Sequence, residues 1–180
     1  ATFAGGINYI TEDKDRKTLF INHRNNLKGY PIDPCYKARF ITSDNNGRLW
    51  VGTTTGAIAF DENFEKPEEV EFHHFSRVPN VHWIIPTQNK ELYLGTFGGG
   101  LNKLVSIDKD GHAKFESYSV QDGLSSDILL SIREDHKRNL WISTENGLCK
   151  FSPSEERFES FDERSITFPV RFSEAASTLT

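Results

Sequence analysis

The chain has 180 residues, a formal charge of −5, 14 Phe and no Met. That is one ordinary domain's length, or about four repeats of roughly 45 residues. Lys and Arg are scattered rather than gathered into a basic stripe, which argues against nucleic-acid binding. No run approaches the roughly 18 apolar residues of a membrane span.

In chain order, residues 3–10 read as a strand entered through a Gly pair, with 13–16 as a turn and 18–23 as a second strand. Residues 25–34 are a polar connection whose Gly29, Pro31 and Pro34 exclude a helix. Residues 37–43 and 48–53 form a strand pair around the tight turn Asp44-Asn45-Asn46-Gly47, where Asp can cap backbone amides and Asn and Gly tolerate positive φ. Further strands follow at 57–60 and 71–75. A second unit has strands at 81–86, 91–96, 101–105 and 114–118. A third has them at 128–134, 139–144, 148–151 and 157–161, and residues 168–175 look like the first strand of another. Turns every 8 to 12 residues with almost no helical periodicity mark an all-β chain.

The units repeat in phase. Asp44-Asn45-Asn46-Gly47-Arg48-Leu49-Trp50-Val51-Gly52-Thr53 is matched by the segments leading to Tyr93 and Trp141. Ile41, Ile84 and Ile132 each stand nine residues before the aromatic. Spacings of 43 and 48 residues between aromatics, with four short strands per period, predict propeller blades. The fold class is therefore all-β, a β-propeller of four-stranded antiparallel blades. Its segments are a partial blade at 1–23, blades at 37–75, 81–118 and 128–161, and the start of the next at 168–180. Because both faces of a blade pack on neighbours, these residues are expected to form about four blades of a larger ring. A four-bladed ring closed by residues 168–177 on the N-terminal strands is the alternative. Any targeting segment is expected outside these residues. The connections at 76–80 and 162–167 are shorter than their counterpart at 119–127, as residues absent there would explain.

The pattern Asp-x-x-Gly/Asn-x-Leu-Trp-aliphatic-Gly-Thr-x-x-Gly-aliphatic-x-x-Phe resembles the two-component regulator propeller repeat. The link at 115–125 and the segment Arg171-Phe172-Ser173-Glu174-Ala175-Ala176 are similar to the same family. Thr87, Tyr93 and Ser143 depart from the pattern's Asp, Trp and Gly. The resemblance implies a seven-bladed ring in the periplasmic sensor region of a Bacteroidetes hybrid two-component histidine kinase. It also implies an oligosaccharide ligand, a homodimer in the full-length receptor, and membrane attachment only through parts of the protein outside these residues.

Candidate chemistry is sparse. Asp44 and Asp135 occupy the same turn of different units and read as turn caps rather than catalytic acids. Trp50, Tyr93 and Trp141 lie mid-strand, where packing between blades is the default. Asp108-Lys109-Asp110-Gly111 reads as a hairpin turn, since the later ligands of a calcium loop are missing. His73 and His74 are adjacent on a strand and point to opposite faces. Gly98-Gly99-Gly100 has no helix after it to bind phosphate. Cys35 and Cys149 fit no metal spacing and say little about compartment. No catalytic residue, cofactor or metal is expected. The loops that enter the innermost strands and those that join second to third strands share one face of a propeller. On it the candidate ligand residues are Arg39, His82, Trp83, Phe97, Glu145, Asn146 and Arg171. An aromatic with Arg, His and amide groups suits a sugar or uronate. A structural or protein-interaction propeller, and more remotely a glycan-active enzyme, are the other readings.

Overall fold

The computed structural model describes residues 6–12, 14–22, 29–31, 35, 37–62, 66, 69–161 and 172. Among them, β1 (Asn8–Glu12) and β2 (Thr18–Asn22) form a hairpin. Three four-stranded antiparallel sheets follow, each with its strands paired in chain order. The first holds β3 (Ala38–Ser43), β4 (Arg48–Thr53), β5 (Gly56–Asp61) and β6 (His73–Phe75). The second holds β7 (Val81–Pro86), β8 (Leu92–Thr96), β9 (Leu101–Ile107) and β10 (Ala113–Tyr118). The third holds β11 (Leu129–Glu134), β12 (Leu140–Thr144), β13 (Gly147–Ser152) and β14 (Arg157–Phe161). The innermost strands β3, β7 and β11 stand side by side. This is the blade-on-blade arrangement of a β-propeller.

The period of two places the core between blades. Trp50, Ala57 and Phe75 share one face of the first blade and bury against Val81, Ile84 and Leu94 of the second. Tyr93, Leu101 and Tyr118, on the opposite face of the second blade, bury against Leu129, Ile132, Ile142 and Phe151. The other face of the first blade carries Val51, Ile58 and Phe60 in a cluster with Ile7 and Tyr30. Each blade thus covers its neighbour, as two-sided burial of a strand pattern requires.

Glycine in the repeat's Gly-Thr pair is explained by this contact. A Cβ on Gly52 would stand 2.7 Å from the Val81 carbonyl oxygen, and one on Gly95 would stand 2.9 Å from Ile132 Cδ1. Ser143 takes this place in the third blade, where its hydroxyl pairs with that of Ser131 at 2.7 Å.

The Asp of the repeat caps its turn and also holds the aromatic. Asp44 accepts the Asn46 and Arg48 amides at 2.7 and 3.1 Å, and the Trp50 indole N–H at 2.8 Å. Asp135 repeats this with Lys137, Asn139 and Trp141 at 2.8, 2.9 and 2.9 Å. In the second blade both partners change together. The Thr87 hydroxyl accepts the Glu91 N–H at 3.1 Å, and the Tyr93 hydroxyl donates to Glu91 Oε2 at 3.1 Å.

Several details differ from the sequence expectation: β1 spans Asn8–Glu12 where the sequence reads a strand over 3–10, and β9 runs on to Ile107 rather than 105. β6 covers three residues rather than five, because Phe72 packs on Phe60 and Tyr30 (ring centroids 4.9 and 5.4 Å), outside the strand pairing. The link after β10 winds into one 3₁₀ turn, Val120–Asp122, closed by reciprocal bonds between Ser119 and Asp122 and by left-handed Gly123. The expected strand at 168–175 lies outside the described residues except for Phe172.

Candidate functional site

The loops entering β7 and β11 and those joining the second and third strands of each blade meet at one end of the sheets. A belt of backbone bonds joins them across blades. The Asn80 N–H donates to the Thr54 carbonyl at 3.1 Å, and the Phe97 N–H to Asn80 at 2.9 Å. Phe97 then bridges to Ile128, whose carbonyl accepts the Glu145 N–H at 3.3 Å. Gly98 and Gly100 both donate to the Asp127 carbonyl at 3.0 Å. Thr54, Phe97 and Glu145 are therefore equivalent positions on successive blades.

The repeat's Thr staples each of these loops. Thr53, Thr96 and Thr144 donate to the carbonyls of Gly56, Gly100 and Gly147 at 2.9, 2.9 and 3.0 Å. The second blade's loop has one residue more, Thr96 to Gly100 against Thr53 to Gly56 and Thr144 to Gly147. Gly98 (φ +105) and Gly100 (φ +68) take the backbone through left-handed conformations there. That longer loop carries Phe97 at 43% exposure.

His82 is 8% exposed and lies under Phe97, with rings 5.0 Å apart and nearly parallel at 25°. Glu145 is exposed and accepts a bond from the Ser126 hydroxyl at 3.0 Å. Asn146 is exposed and reaches the Ser125 carbonyl at 3.5 Å. The structure thus brings Phe97, His82, Glu145 and Asn146 to one stretch of the belt. Arg39 is exposed one blade away, on β3. Trp83 lies within the core at 6% exposure, between Phe40 (4.6 Å) and the Arg133 guanidinium (5.1 Å), so its faces are already occupied. Arg171 lies outside the described residues. Ser125 and Ser126, which orient Asn146 and Glu145, were not expected from the sequence. Their place in a Gly-Leu-Ser-Ser link before an innermost strand was the signal available.

Electrostatics elsewhere are structural. Partial burial alone would raise the Asp135 carboxyl. The hydrogen bonds from Asn139, Trp141 and Lys137 outweigh it and hold the pKa down at about 2. Burial pushes the Tyr93 hydroxyl up, and neighbouring Glu91 adds to it. Burial likewise raises both free thiols, Cys35 and Cys149. Asp108, Asp110 and His112 gather their ligand atoms within 4.8 Å at an exposed hairpin. Asp108 there already accepts the Asp110 and His112 amides at 3.0 and 2.8 Å, as a turn cap does.

Comparison with known proteins sets this geometry in context. No family model and no curated protein sequence matches the chain. Solved structures do match. One is the extracellular domain of a protein described as the hybrid two-component system BT3049 from B. thetaiotaomicron, 22% identical with a TM-score of 0.65 over 91% of this chain. Another is the extracellular domain of BT4673 from the same organism, described as a one-component system, 20% identical with a TM-score of 0.68 over 88%. A catalytically inactive variant of virginiamycin B lyase from Staphylococcus aureus, bound to quinupristin, is 14% identical with a TM-score of 0.60 over 92%. The chain spans 21% and 23% of the two extracellular domains and 50% of the lyase. What these likenesses show is the shared fold, the β-propeller.

Proposed function

We propose that this chain is part of a non-catalytic, periplasmic sensor propeller of a two-component signalling protein, and that the belt face carrying Phe97 recognises an oligosaccharide. The observation that supports it is the exposed Phe97 ring, backed by His82 and set beside the Glu145 carboxylate and the Asn146 amide. A pyranose ring stacks on an aromatic face while its hydroxyls bond to carboxylate and amide groups, so this set matches a neutral or amine-bearing sugar. Exposed Arg39 of the neighbouring blade belongs to the same proposed surface. Regulation of a downstream histidine kinase, a homodimer in the intact receptor and control of transcription belong to the same reading. They rest on the repeat resemblance and on the extracellular domains that share the fold. Fold alone does not choose a function, as the lyase of the same architecture shows.

Calorimetric titration of the intact propeller region against a panel of defined oligosaccharides tests it. Saturable binding to one sugar class, lost in Phe97→Ala and weakened in Glu145→Gln, is expected. Binding to none of the panel, together with a concentration-dependent dimer, would replace the sensor reading with an interaction scaffold.

A further inference from the structure

At the opposite end of the sheets, a cleft of about 250 Å³ opens between the turn after β3 and the outer half of the second blade. Its polar rim is formed by Asp44, Asn46, Arg48, Lys90, Glu91 and Ser106. The two acids are already committed. Asp44 holds two amides and the Trp50 indole. Glu91 is ion-paired to Lys103 and accepts the Tyr93 hydroxyl. The two cations are not: Arg48 and Lys90 are exposed, and neither makes an ion pair among the described residues. The Asn46 amide and the Ser106 hydroxyl are likewise without side-chain hydrogen bonds there. The two blades are tied together beside the cleft by Asn45, whose amide donates to the Thr87 carbonyl at 3.0 Å, so its two walls are held at a set separation.

We infer that this cleft is a second binding site, specific for a small solute bearing a carboxylate or sulfate group. Its free functions are a guanidinium, an ammonium, an amide and a hydroxyl. Arg offers paired donors in the geometry an oxyanion needs, and Lys adds a point charge. The walls contributed by Leu92, Leu104 and Val105 give an apolar side for the body of the solute. The volume lies below the roughly 300 Å³ at which pockets begin to hold drug-sized ligands, which limits the occupant to about one sugar-sized unit. This site is independent of the oligosaccharide reading, since the Phe97 surface lies at the other end of the strands.

The cleft carries its own reporter, because the Trp50 indole N–H donates to Asp44 on its rim. The test is a titration of the intact propeller region with D-glucuronate, with sodium sulfate and with glucose, read by calorimetry and by the Trp50 indole N–H resonance. Saturable glucuronate binding that moves this resonance is expected, weakened at least about tenfold in Arg48→Gln and in Lys90→Gln and falling with added salt. Glucuronate at least about tenfold tighter than sulfate identifies a sugar acid as the occupant; equal affinities identify a bare oxyanion. No saturable binding of either anion, affinities unchanged in both variants, or glucose binding as tightly as glucuronate would overturn the proposal. Both substituted side chains are exposed, so unchanged melting temperatures check that a loss of binding is not a loss of fold. Phe97→Ala is expected to leave glucuronate binding intact, which separates failure of this site from failure of the belt face.

Discussion

Replacing Asp135 by Ala removes one carboxylate that serves three partners. Two of its bonds cap the turn amides of Lys137 and Asn139, a role comparable to a helix N-cap and worth about 1 kcal/mol. Beside a bond from the Asn139 side-chain amide at 3.1 Å, a further one holds the half-buried Trp141 indole at 2.9 Å, a charge-assisted bond worth about 1–2 kcal/mol at a site that water reaches. The sum, about 2–3 kcal/mol, lowers the melting temperature by roughly 5–10 °C for a chain of this size. The pH dependence is an independent check. The folded-state pKa is depressed from 3.8 to about 2. The carboxylate therefore stabilises the fold fully above about pH 4, and this contribution is lost as pH falls toward 2. At about 1.4 kcal/mol per pH unit the gap corresponds to about 2.5 kcal/mol, which solvent screening at a part-exposed group roughly halves. The difference between wild type and Asp135→Ala, followed by chemical denaturation at pH 7 and at pH 2.5, should therefore shrink markedly at the lower pH. A melting temperature within about 1 °C of wild type at pH 7 would refute the reasoning. So would a carboxyl carbon resonance of Asp135 titrating at its ordinary value.

Two further outcomes follow from packing. Gly52→Ala should destabilise more than Gly95→Ala, by about 1–3 kcal/mol in urea unfolding. The new Cβ meets the Val81 carbonyl oxygen in the first case, but only the movable Ile132 Cδ1 in the second; the reverse order would contradict the blade contact described. Burial raises the hydroxyls of Tyr30, Tyr93 and Tyr118 above the ordinary value, with Tyr118 at about 12. An ultraviolet titration of the native protein at pH 11 should therefore leave these three of the five tyrosines protonated. Because their protons are held more tightly folded than unfolded, this stabilisation is present below about pH 10 and is lost as pH rises toward the folded values. Ionisation of all five by pH 11 without unfolding would argue against the burial.

Blades, strand alternation and turns were legible in the chain because each depends on contacts within a few residues. Asp44 and Asp135 cap amides two and four positions away, and Leu49, Val51 and Thr53 alternate with Arg48, Trp50 and Gly52 whatever lies beyond the sheet. The repeat then supplied the architecture, since a unit that recurs in phase must bury each copy on the next. What the local pattern did not carry was which of two aromatics in one neighbourhood meets water. Trp83 and Phe97 are both near the belt, and only the placement of the Phe40 ring and the Arg133 guanidinium closes over the first, while an added loop residue lifts out the second. The exchange of Asp for Thr87 and of Trp for Tyr93 looked like two separate departures from the motif. It is one substitution of partners through Glu91, visible only once the hydroxyl and carboxylate stand 3.1 Å apart. The free cations of Arg48 and Lys90 likewise become neighbours of one cleft only when two blades pack, because the distance between residues 42 positions apart in sequence is set by the docking of sheets and not by the chain between them.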